Sequence, residues 1–121
     1  MKKVLIIEDD EFLRGLIQKK LVSEGFEAIS AADGEDGVKK AKENKPDLIL
    51  LDLMLPNMDG YEVLGKVKND SSISSTPVII LSNLAQPEDI QKGVKLGAAD
   101  YVIKAQSTPE EIVEKVKTIL K

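Results

Sequence analysis

The 121-residue sequence has no cysteine, no histidine and no tryptophan, and its aromatics are two Tyr and two Phe. Without cysteine there is no disulfide, no thiol nucleophile and no thiolate metal site. Without histidine the commonest general base and metal ligand is missing, and Ser-His-Asp chemistry goes with it. Long apolar runs are also lacking. Val4 to Ile7 follows the basic start Met1-Lys2-Lys3 but is closed at once by Glu8-Asp9-Asp10, too short for a signal peptide or a membrane span. A cytoplasmic protein with no membrane partner is expected. Positive charge is short too: Lys+Arg 17 against Asp+Glu 21 leaves −4. A binder driven by phosphate neutralisation needs the opposite balance, so no direct nucleic-acid contact is expected. What remains for chemistry is carboxylates, lysines, hydroxyls, backbone and a hard cation.

The residues present are those of a folded domain. Hydrophobic residues make up 42% and charged residues 31%, and a chain of this length buries about two-thirds of its unfolded surface. One domain over residues 1–121 is expected. Short apolar runs alternate with helical patterns. Val4–Ile7, Leu48–Leu51, Val78–Leu81 and Tyr101–Ile103 read as buried strands, and Glu27–Ala31 as a weaker one. Between them, Phe12, Leu13, Leu16, Ile17, Leu21 and Val22 recur at helical spacing and stop at Gly25. Asp33 caps a modest helix through Val38 and Ala41, ending near Asn44. Asp59 caps one carrying Val63, Leu64 and Val67. A helix from Pro87 carries Ile90, Val94 and Leu96, with Gly93 lowering its propensity by about 1 kcal/mol. Thr108-Pro109-Glu110-Glu111 forms a capping box for a last helix with Ile112, Val113, Val116, Ile119 and Leu120 inward. Strands apolar on both faces and separated by helices imply an α/β, doubly wound, five-stranded parallel sheet with five helices, ordered 2-1-3-4-5.

In such a fold a ligand binds outside the carboxyl ends of the strands. The residues there are Glu8, Asp9 and Asp10, then Asp52, then Ser82, then Lys104. Taken singly, each has a plainer reading: an Asp ending a strand is usually a cap or turn residue, an acidic run is usually solvated, and Asp10 or Glu11 favours the first helix through its dipole. Tyr101 alone reads as packing. Taken together, they fall at the ends of neighbouring strands and should converge. Clustered carboxylates repel, and one stays protonated unless a cation compensates. With no His or Cys, the set selects a hard ion such as Mg²⁺.

Glu8-Asp9, then Asp52 in Asp-Leu-Met-Leu-Pro-Asn-Met-Asp-Gly, then Ser82, Tyr101 and Lys104 resemble the receiver domain of bacterial response regulators, over Lys3 to Leu120. The likeness is to the chemotaxis-regulator kind, as a stand-alone receiver or a segment of a longer regulator. It implies a flavodoxin-like fold and a signalling phosphoacceptor that catalyses its own loading and unloading. Asp52 would accept a phosphoryl group from the phosphohistidine of a sensor histidine kinase or a phosphotransfer protein. Asp9 would bind Mg²⁺ directly, Glu8 through water, and Met54 through its backbone carbonyl. Ser82 would hydrogen-bond the phosphoryl group and Lys104 would pair with it. Ser82 and Tyr101 form the implied switch: drawing Ser82 inward leaves room for Tyr101 to turn in. That remodels the face made by the Pro87 helix, the Tyr101 strand and the Pro109 helix for a downstream protein, and the weak Gly93 helix is a plausible mover.

Two positions depart from the family pattern. Ala105 follows Lys104 where the family usually has a proline with a cis bond; a cis bond without proline costs about 3 kcal/mol, so a trans or strained bond is expected. Asn83 replaces a usually small residue and is expected to narrow the entrance beside Met54 and Leu84, slowing hydrolysis. Two other functions compete: a degenerate receiver used as a docking module, and a Mg²⁺-dependent Asp-nucleophile phosphatase. The phosphatase would need a second Asp where Met54 stands. A dinucleotide site is excluded by acids at the first strand-helix turn in place of G-x-G-x-x-G.

Overall fold

A computed structural model describes all residues, Met1–Lys121. Its elements are β1 (Lys3–Ile7), α1 (Glu11–Ser23), β2 (Glu27–Ala31), α2 (Gly34–Asn44), β3 (Leu48–Asp52), α3 (Gly60–Lys68), β4 (Val78–Ser82), α4 (Pro87–Lys95), β5 (Asp100–Ile103), a 3-10 turn (Lys104–Gln106) and α5 (Pro109–Ile119). The strands are all parallel, in the order β2-β1-β3-β4-β5. This is the expected flavodoxin-like topology, with the switch point between β1 and β3.

Alternation along each strand divides the core in two. Val4, Ile6, Leu48, Leu50, Ile79 and Leu81 face α1 and α5 and pack on Ile17, Leu21, Ile112, Val113 and Val116. Leu5, Ile7, Ile49, Leu51, Val78 and Ile80 face the other way, onto Val38 and Ala41 of α2 and Val63, Leu64 and Val67 of α3. Each such side chain contributes about 1.5–3 kcal/mol when fully buried, so the middle strands form a rigid platform whose carboxyl ends stay fixed. The caps fall as read: Asp33 accepts from Asp36 N–H, Asp59 from Tyr61 N–H, and Thr108 with Glu111 closes a capping box. Gly25 and Gly97 take positive φ just beyond α1 and α4, where a left-handed residue ends a helix. No helix is long and apolar enough to cross a membrane.

Two helix faces differ from the reading of their periodicity. In α1 the inward stripe is Ile17 and Leu21, both buried, with Leu13 half-buried, while Phe12 is 77% and Val22 59% exposed. At 100° per residue those two lie about 140° from that stripe, so the apolar set is wider than the contact. In α4, Val94 is 57% exposed and the one buried residue is Gly93. A Cβ at Gly93 would meet Ile80 Cδ1 at 2.6 Å and the Tyr101 ring at 3.4 Å. The glycine is therefore a close-approach residue between α4 and the sheet, more than a weak link in a helix.

Candidate functional site

The buried polar residues of the chain are three: Glu8, Asp52 and Ser82. All stand where a strand stops. Ser82 is the last residue of β4 and Asp52 the last of β3, while Glu8 follows β1 directly. The carboxylates of Glu8, Asp9 and Asp52 offer oxygens that all lie within 4.8 Å of one another. Asp9 is exposed. Asp10 turns away from this group: its Oδ1 accepts from the Phe12 and Leu13 amides and caps α1, the plainer of its two readings.

The loop after β1 is pinned from several sides. Glu8 N–H donates to Ala31 O at 3.0 Å, Asp10 N–H donates to Glu8 Oε2 at 3.1 Å, and Arg14 Nη1 donates to Glu8 O at 2.7 Å. At β3, Asp52 Oδ1 accepts from Met54 N–H at 3.1 Å, which orients the carboxylate across its own loop. Gly60 backs this loop. A Cβ there would strike Leu53 Cα and come within 2.5 Å of Asp52 O, so no larger residue fits without moving the strand end. Arg14 and Gly60 went unnoticed in the sequence; the Asp59-Gly60 pair was the signal available for the second.

Lys104 reaches the acids through an all-trans chain, since no cis peptide bond occurs. Its Nζ lies 2.6 Å from Glu8 Oε1 and 3.0 Å from Asp52 Oδ2. Oε1 of Glu8 is fully buried, with the Lys104 ammonium as its charge partner. Burial pushes the Glu8 carboxyl up to about 7, with the Asp52 charge adding to the rise and Lys104 opposing it. Burial alone would lower the Lys104 ammonium, but the two carboxylates outweigh it and hold the ammonium above its ordinary value. Three carboxylates are gathered here, and Lys104 pairs with two of them, Glu8 and Asp52. An all-oxygen, net-negative donor set of this kind fits a hard divalent cation.

Ser82 Oγ accepts from Leu84 N–H at 3.0 Å, and Tyr101 OH donates to Leu84 O at 2.6 Å. Tyr101 packs against the α2–α3 core. The Tyr101 ring is half-buried, with its hydroxyl held by the Leu84 carbonyl and its edge beside Gly93. Asn83 is exposed, and its Oδ1 accepts from Ala105 N–H at 2.9 Å. Met54 is 63% exposed at the mouth of the β3–α3 loop. The site therefore unites Glu8, Asp9, Asp52 and Lys104, with Ser82 at the end of β4, Tyr101 on β5 and Met54 on the β3–α3 loop around them.

Sequence and structure comparisons agree with this geometry. Residues 4–117 match the family model described as response regulator receiver domain. The chain is 40% identical over 120 residues to the Bacillus subtilis alkaline phosphatase synthesis transcriptional regulatory protein PhoP, covering 99% of this chain and 49% of that protein. It is 36% identical over 121 residues to the Synechocystis DNA-binding dual master transcriptional regulator RpaA, covering 100% of this chain and 50% of that protein. The chain thus spans about half the length of the curated relatives it matches. Among solved structures, the chemotaxis response regulator CheY4 of Vibrio cholerae superposes with a TM-score of 0.91 at 30% identity, covering 98% of both chains. A doubly wound sheet with acids and a lysine gathered at its carboxyl edge, matched along nearly its whole length, makes this chain a member of the response regulator receiver domain family.

Proposed function

We propose that Asp52 takes a phosphoryl group from the phosphohistidine of a sensor histidine kinase or phosphotransfer protein, and that this loading biases a partner-binding face. The observation that carries the reading is the contact of Lys104 Nζ with Asp52 Oδ2 at 3.0 Å beside the buried Glu8. A carboxylate on a rigid strand end, with a cation at Oδ2 and the Met54 amide donating to Oδ1, is oriented for one oxygen to attack phosphorus in line. A P–O bond forms to Asp52 as the P–N bond to the donor imidazole breaks, and the product is an acyl phosphate. Lys104 then moves from neutralising the free acids to neutralising the equatorial phosphoryl oxygens, and the Ser82 hydroxyl donates to one of them. Mg²⁺ held by Asp9, Asp52, the Met54 carbonyl and, through water, Glu8 would supply charge neutralisation at the same oxygens.

With no histidine of its own, the chain acts as acceptor in such a relay and not as the imidazole donor. Unloading is attack of water on the same phosphorus. On the output side, drawing Ser82 Oγ to the phosphoryl group takes it from Leu84 N–H, and so loosens the loop whose carbonyl holds Tyr101. That couples loading to α4, β5 and α5, the face offered to a downstream protein. The cellular setting proposed is the cytoplasm. Incubation with acetyl phosphate and Mg²⁺ followed by intact mass tests the acceptor: the natural chain should gain one phosphoryl group and Asp52→Asn none. A gain in Asp52→Asn, or none in the natural chain, would overturn the assignment.

A further inference from the structure

Asn83 and Ala105 are the two positions that depart from the family pattern, and they touch one another. The sheet register brings them together. Ser82 is paired with Ile103 across β4 and β5, so the residue after each, Asn83 and Lys104, leaves the sheet side by side. Lys104 opens a 3-10 turn of only three residues, whose Ser107 N–H reaches Lys104 O at a long 3.3 Å. The first amides of a helical turn have no partner within it. Here the Ala105 amide finds one in the Asn83 side chain, at 2.9 Å. A proline at 105 would have no N–H to give. Asn83 at the end of β4 thus grips the backbone immediately after the lysine, while the Lys104 side chain runs the other way into the acids.

We propose that Asn83 is a positioning residue: its grip on the Ala105 amide fixes the 3-10 turn so that Lys104 reaches Asp52 through a trans backbone. This rests on the phosphoacceptor reading above and deepens it. Asn83 touches neither the acids nor the phosphorus; it acts through the lysine. Freed from it, the turn should swing and carry Nζ off the line to Asp52 Oδ2. Misplacement of a catalytic group by about 1 Å can cost on the order of a hundredfold, and a turn released at one bond should cost less.

The test is a double-variant cycle on Asn83→Ala and Ala105→Pro, with loading by acetyl phosphate, Mg²⁺ affinity and amide hydrogen exchange as readouts. Asn83→Ala should speed exchange of the Ala105 amide and slow loading about tenfold, while Mg²⁺ affinity holds or rises because the three carboxylates are untouched and Lys104 competes less. Asn83→Asp keeps the acceptor oxygen and should retain the slow exchange. In the Ala105→Pro background the donor is gone, so Asn83→Ala should change loading no further. Equal slowing in both backgrounds, unchanged loading in Asn83→Ala, or a parallel loss of Mg²⁺ affinity would each overturn the proposal. If the natural chain itself does not load, the phosphoacceptor reading falls and this one with it; if it loads and Asn83→Ala loads as fast, this one alone falls.

Discussion

The α1–α5 layer and the α4 edge of the sheet are held by different kinds of force. Where α1 and α5 meet, Ile17, Leu21, Ile112, Val113 and Val116 are all buried, and Lys117 ties the helices by an ion pair to Glu24 at 2.7 Å. On the far side α4 buries only Gly93. It is kept in place by directional polar contacts: Tyr61 OH donates to Asp89 O at 3.0 Å, Lys92 lies 4.2 Å over the Tyr61 ring, and Tyr101 OH bonds Leu84 O. Apolar burial is lost only by opening a whole layer, whereas a hydrogen bond is lost or exchanged one at a time. The lesson is that the α1–α5 layer supplies stability and the α4 edge supplies a low-cost path for movement.

Four measurements would sharpen or break that contrast, in descending size of effect. Leu21→Ala should lower unfolding free energy in urea by about 2–5 kcal/mol, because it empties fully buried volume in the firm layer; a loss under 1 kcal/mol, read as about that threshold, would contradict the assignment of stability to this side. The acidic pocket at the carboxyl edge of the sheet should answer to pH. Because Glu8 titrates near 7 when folded and near 4.5 otherwise, the folded state keeps a proton that the unfolded chain has lost, so metal-free stability should fall as pH rises between those values. A cation must displace that proton, so Mg²⁺ affinity measured by titration should rise by up to about tenfold per pH unit up to neutrality. A flat profile in both measurements would remove the buried acid from the account.

Gly93→Ala should come third. It gains about 1 kcal/mol of helix propensity but meets Ile80 Cδ1, and overpacking of about 1–3 kcal/mol should leave a small net loss in the melt. Stabilisation instead would show that α4 can lift off the sheet freely. Smallest is Tyr61→Phe, which removes one hydrogen bond of about 0.5–1.5 kcal/mol. Hydrogen exchange should accelerate in α4 and remain unchanged in α1 and α5; acceleration spread across all three would erase the distinction between the sides.

Strand order, caps and the gathering of Glu8, Asp9, Asp52 and Lys104 were legible in the sequence because each depends on local chemistry. An apolar run that stops at an acid marks a strand end, and parallel topology does the rest. The facing of α1 was less legible, since Phe12 and Val22 obey helical spacing yet no element covers them. Gly93 was only partly legible: propensity scores a glycine by what it lacks in the helix, and the close approach of Ile80 appears only in the packed fold. Asn83 and Ala105 were each visible as unusual, but 22 residues of sequence separate them and only the β4–β5 register reveals the pair. Asp10 shows the same limit from the other side, as a carboxylate in an acidic run whose duty is to the helix behind it.

The position of Lys104 has one more consequence. By bridging Glu8 and Asp52, a tethered ammonium occupies the place where repulsion between the acids would be worst, so the protein carries its own plug. The domain can therefore stay folded before any ion arrives, and an arriving ion does not fall into an open socket. Any cation bound there would compete with a resident that cannot diffuse away and that, once dislodged from one oxygen, would be at hand to grip the next.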